Sequence, residues 1–77
     1  MSNYHVTATW DDESKLWVAW SDDVPGLATG AETLEALTEK LKLVIPELLF
    51  ENQRLPRAAS QIRFEINAKR VCSAPVG

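Results

Sequence analysis

The densest chemistry-capable side chains in this 77-residue chain are two acidic pairs, Asp11-Asp12 and Asp22-Asp23. Carboxylates gathered in space can hold Mg²⁺ and activate water for phosphodiester cleavage. Both pairs fall in turn-like segments, DDESK and DDVPG, where aspartate is favoured because its side chain bonds nearby backbone amides. If the residues between them form the second strand of a hairpin, the pairs lie at its opposite ends, roughly 20 Å apart at strand rise. One metal ion cannot bridge that gap. A divergent Mg²⁺-dependent hydrolase is therefore the weakest reading, and no catalytic residue, metal site or cofactor is expected.

The other reactive types are equally isolated. His5 is the lone histidine, with neither a nucleophile nor a second metal ligand at a useful spacing, and reads as a strand residue. Cys72 is the single cysteine; it has no CxxC partner and can form no internal disulfide, which fits a reducing cytoplasm. Arg54, Arg57 and Arg63 could form a small basic patch, the basis of an alternative reading as an RNA-binding domain. A net charge of −3 suits a basic partner better than a nucleic acid. Three tryptophans without an accompanying basic groove read as core and interface anchors rather than base-stacking platforms.

These side chains must be positioned by a small scaffold. The length gives one domain over residues 1–77, with an ordered core of about 4–70 and a tail at 71–77. The start, MSNYHVTATWDD, lacks the basic-then-apolar pattern of a signal peptide. No apolar run approaches the ~20 residues of a membrane span. Tyr4–Trp10 alternates, with Tyr4, Val6, Ala8 and Trp10 on one face and His5, Thr7 and Thr9 on the other, which predicts a strand. A polar turn over Asp11–Lys15 leads to a second strand, Leu16–Ser21, in an antiparallel hairpin. Pro25-Gly26 marks a turn, and Leu27–Ala31 a short third strand.

The helix that follows organises the rest. Thr33 is the expected N-cap, with Glu32 and Glu35 favourable to the positive end of the helix dipole. Leu34, Leu37, Leu41, Val44, Ile45, Leu48 and Leu49 make one apolar stripe, which must be buried for so short a helix to be stable. Pro46 interrupts the backbone ladder. Either the helix kinks between Lys42 and Pro46 and continues to about Phe50, or it stops near Val44 and restarts at Pro46; the unbroken phase of the stripe favours the kink. Glu51–Ser60 is a polar connection. Gln61–Lys69 alternates again, with Ile62, Phe64, Ile66 and Ala68 facing the core and Arg63, Glu65, Asn67 and Lys69 facing water. The chain thus reads as α+β, in the order β-β-β-α-β.

The second strand is apolar on both faces: Leu16, Val18 and Trp20 on one, Trp17 and Ala19 on the other. One helix covers one face of a small sheet, so the other is left exposing tryptophan unless the tail or the Glu51–Ser60 connection folds over it. Exposed apolar patches mark contacts. Trp10, Trp17 and Trp20 are the candidate anchors of a partner or dimer interface, and Asp22 and Asp23 its candidate charge contacts.

Two segments carry a family resemblance: Asp23-Val24-Pro25-Gly26, and Thr33-Leu34-Glu35-Ala36 opening the helix, preceded by the aromatic hairpin Tyr4–Trp20. The chain resembles the HicB-like antitoxin group, and more narrowly a small prokaryotic domain family of unknown function, number 1902. The resemblance implies a partial RNase H-like fold: a four-stranded sheet in the order 3-2-1-4, its last strand parallel to the first, with one helix on one face. It implies a homodimer, and a non-enzymatic partner-binding role against a small basic toxin ribonuclease. HicB proteins often carry a second, DNA-binding domain; the few residues after Lys69 are too short for one, so DNA binding is not expected.

Overall fold

A computed structural model describes residues 4–52 and 61–77. The elements are β1 (Tyr4–Asp11), β2 (Leu16–Trp20), β3 (Ala28–Ala31), α1 (Leu34–Glu51) and β4 (Phe64–Lys69). They form one mixed sheet in the order β3-β2-β1-β4. β1 pairs antiparallel with β2 and parallel with β4. The α+β architecture, the element order and the helix on one face match the sequence reading.

The β1–β2 turn is closed by its own side chains. Ser14 Oγ donates to Asp11 at 2.7 Å, and Lys15 Nζ donates to Asp12 at 3.0 Å. Lys15 takes the left-handed conformation at φ 58°. The resulting register sets Trp10 against Trp17 and Ala8 against Ala19. Since directly opposed residues share a face, the apolar side of β1 and the Trp17/Ala19 side of β2 lie together under the helix.

The β2–β3 connection carries a tight turn. Leu27 N–H donates to the Val24 carbonyl at 3.2 Å, and Gly26 sits at φ 84°, the geometry that a Pro-Gly type II turn requires. That bond holds Leu27 in the turn, so β3 begins one residue later than the sequence suggested. Val24 and Leu27 are buried in the core. The helix end clamps the same turn, with Asn52 Nδ2 donating to the Leu48 carbonyl at 2.8 Å and the Pro25 carbonyl at 3.4 Å.

Helix α1 starts at the expected cap. The Thr33 hydroxyl accepts from the Ala36 amide at 3.0 Å. Thr33→Ala is expected to lower stability by about 1 kcal/mol, read as a shift in urea midpoint without a change of slope. The helix runs through Pro46 to Glu51 without a break. It therefore continues past the proline, as the stripe's phase favoured, rather than restarting there. Leu37, Leu41, Ile45 and Leu49 are fully buried; Leu34, Val44 and Leu48 pack at their margin.

The helix does not lie centrally. Its Cα atoms come within 8 Å of those of β2 and β3 but not of those of β1 or β4. The apolar row of β4 consequently departs from the sequence expectation of one buried face: Ile62, Phe64 and Ile66 are only half-buried and Ala68 is exposed. β4 itself begins at Phe64 rather than Gln61.

Candidate functional site

The open face of the sheet carries the site. Register places Asp11, Thr9, Thr7 and His5 of β1 on it, with Leu16, Val18 and Trp20 of β2, Gly30 and Ala28 of β3, and Glu65, Asn67 and Lys69 of β4. Its centre is a strip of Leu16, Val18 and Trp20 beside Gly30 and Ala28. Trp20 is 46% exposed. Gly30 keeps the strip shallow, because a Cβ there would lie 3.1 Å from the Trp17 carbonyl and against Leu16.

The three candidate tryptophans separate. Trp20 stands on the open face. Trp17 is buried beneath the protein's own helix, 9% exposed, and is unavailable to a partner. Trp10 is half-buried at the end of the helix side. It meets Trp17 edge-on at 5.6 Å between ring centres, and the Arg70 guanidinium lies 4.1 Å over its ring. Trp10 and Trp17 thus belong to one core-edge stack. The sequence left open which apolar face of β2 the helix takes; the turn register at Asp11–Leu16 was the signal that decides it.

The acidic pairs also separate. Asp12 accepts from Lys15 and from the Trp10 indole at 3.3 Å. The Lys15 ammonium first, then the indole N–H, hold its carboxyl below the usual carboxylate range. Asp23 lies at the other end of β1, where its carboxylate accepts from the His5 amide at 2.8 Å. Ser21 Oγ donates to the His5 carbonyl at 2.5 Å and accepts from the Asp23 amide at 3.0 Å. β2 ends opposite Thr7, so these two side chains stand in for the missing strand. Asp23→Ala leaves the His5 amide without that partner and is expected to cost about 1 kcal/mol of stability, with faster hydrogen exchange confined to the start of β1. Asp22 is exposed beside it.

His5 Nδ1 is 3.9 Å from Glu65 on the open face. Among the described residues no three of His, Cys, Asp and Glu converge on a metal-binding position. Arg54 and Arg57 lie outside the described residues, so the basic patch they were expected to share with Arg63 has no described geometry. A groove of about 420 Å³ separates α1 from β4, lined by Thr38, Lys42, Ile62, Arg63, Phe64 and Ile66. None of these lining residues is a carboxylate, and the Thr38 hydroxyl donates to the Leu34 carbonyl at 2.7 Å.

Among the described residues, the sheet order, one helix on one side and an apolar strip on the otherwise polar other side define a small α+β sheet-and-helix domain. The chain belongs to the family described as a domain of unknown function (DUF1902), whose model matches residues 3–74. It is similar to the crystal structure of a hypothetical protein, TTHA1013, from the extremely thermophilic bacterium Thermus thermophilus. The two are 41% identical over 97% of this chain and 100% of that one, with a TM-score of 0.67. No curated protein matches. Among the described residues, no helix is long and apolar enough to cross a membrane.

Proposed function

We propose that this chain is a non-enzymatic, cytoplasmic protein-recognition domain of the HicB-like type, whose open sheet face receives a small basic protein such as a toxin ribonuclease. The observation that carries this reading is the half-exposed Trp20 at the end of an apolar strip on an otherwise polar sheet face. A large aromatic within such a strip is typical of an interface core. Asp11 stands at the Leu16 end of the strip and Asp22 and Asp23 follow its Trp20 end, while Glu65 and Lys69 lie across β1 from it. The net charge of the chain is −3. That charge would speed encounter with a cationic partner more than it would strengthen the final complex. The resemblance of the turn and helix opening to HicB-like antitoxins supports the same reading. The non-enzymatic assignment rests on the distance between the two acidic pairs and on the local bonds that already occupy Asp12 and Asp23.

The test is to read the adjacent reading frames for a short basic protein and to titrate it calorimetrically against the purified chain. The absence of such a frame contradicts the reading. Salt-sensitive binding is expected. Absence of heat at low salt, with both proteins folded, contradicts the reading.

A further inference from the structure

The two edges of the sheet differ. β3 has four residues, and its Gly30 carbonyl is taken by Lys40 Nζ at 2.7 Å. β4 has six residues, is the opposite edge, and contains no proline, glycine or bulge to blunt it. The Tyr4 amide donates to the Arg63 carbonyl at 3.1 Å, and Tyr4 is in register with Phe64. Backbone groups alternate in direction along a strand. Arg63, Glu65, Asn67 and Lys69 therefore direct theirs at β1, while Phe64, Ile66 and Ala68 direct theirs outward. Beyond Lys69 the chain continues as an exposed arm, Arg70–Gly77, with Val71 84% and Val76 102% exposed. Among the described residues no strand pairs with this edge, and an unpaired edge continued by an exposed arm is a template for strand pairing.

We propose that a second copy of this chain occupies that edge, with two β4 strands pairing antiparallel about a two-fold axis at Asn67 to give a continuous eight-stranded sheet. The charge pattern selects the occupant and the register. Centred on Asn67, the pairing sets Glu65 against Lys69 of the other copy, twice by symmetry, and Asn67 against itself. Centring on Ile66 opposes Arg63 to Lys69. Centring on Glu65 or Lys69 opposes like charges on the axis, which destabilises a strand pair. Centring on Ala68 leaves Glu65 facing Val71. The Asn67 register also makes Phe64, Ile66, Ala68 and Arg70 the hydrogen-bonded positions, which are the residues whose backbone groups point outward. It lays the start of each arm beside Ile62 and Phe64 of the other copy, the half-covered row along the α1–β4 groove. The contact is isologous, so it closes at two copies. It uses none of the strip around Trp20 and stands independently of the partner reading.

Asn67 would face its mate as a non-hydrogen-bonded pair, with Cα atoms about 4.5 Å apart, inside the range a disulfide spans. In the Cys72→Ser background, Asn67→Cys is expected to form an intermolecular disulfide on mild oxidation, whereas Glu65→Cys, offset from its mate by four residues, is not. Lys69→Glu is expected to weaken the wild-type dimer about ten-fold in sedimentation equilibrium by opposing like charges, and Glu65→Lys added to it to restore affinity. A wild-type chain that stays monomeric in the hundred-micromolar range overturns the proposal. So does a dimer that crosslinks through position 65 but not 67, or one indifferent to the charge swap. Trp20→Ala leaves this dimer unchanged, which separates failure here from failure of the partner reading.

Discussion

Trp17→Ala is expected to lower the unfolding free energy by about 3–5 kcal/mol, the range for removing a buried large aromatic. Trp17 is covered by the helix and supports Trp10, its edge-on neighbour, so truncation opens a cavity and releases the Trp10–Arg70 stack as well. The edge-to-face contact alone is worth about 0.5–1.5 kcal/mol beyond its area. A domain of this size holds only about 4–12 kcal/mol in total. The loss therefore consumes a large share of its stability, and the melting midpoint should fall by at least about 12 °C. Differential scanning calorimetry checks it. A fall of only a degree or two would mean that Trp17 is not core, and the placement of the helix over the Trp17/Ala19 side of β2 would be wrong.

Trp20→Ala is expected to do the opposite. At 46% exposure on the open face, its truncation should move the melting midpoint by no more than a few degrees. Binding of the basic partner should weaken about thirty-fold or more, the loss of an aromatic anchor worth about 2 kcal/mol. Leu16 and Val18 flank it and exclude water, so their alanine variants should cost less. Isothermal titration and calorimetry on the same preparations measure both quantities. A Trp20 variant that is strongly destabilised yet binds normally would reverse the roles assigned to the two tryptophans.

That reversal of roles marks what the sequence could and could not convey. The helix was legible because Leu37, Leu41, Ile45 and Leu49 repeat at helical spacing and Thr33 precedes them as a cap. The turn at Pro25-Gly26 was legible because positive φ after proline calls for glycine. The face of β2 that meets the helix was not, since period-two alternation is uninformative when both faces are apolar. Cross-strand register decides it: the Asp11–Lys15 turn pairs Trp10 with Trp17 and so assigns Trp17 to the buried side. The half-open β4 row was hidden for a related reason. Alternation in Gln61–Lys69 shows that one face is apolar, but the helix's lateral offset toward β3 determines how much of it is covered. The double duty of Ser21 and Asp23, replacing a strand opposite His5, has no composition signal, because an aspartate in a turn bonds some nearby amide whatever its location.

The most direct measurement is amide chemical-shift mapping of the isotope-labelled chain titrated with the basic partner. The perturbed residues should be Thr7, Thr9, Leu16, Val18, Trp20 with its indole, Ala28 and Gly30, while Leu37, Leu41 and the exposed outer face of α1 stay still. Perturbation confined to the helix, to Arg63 and the start of β4, or absent from the Trp20 indole would contradict the assignment of the open sheet face as the recognition surface.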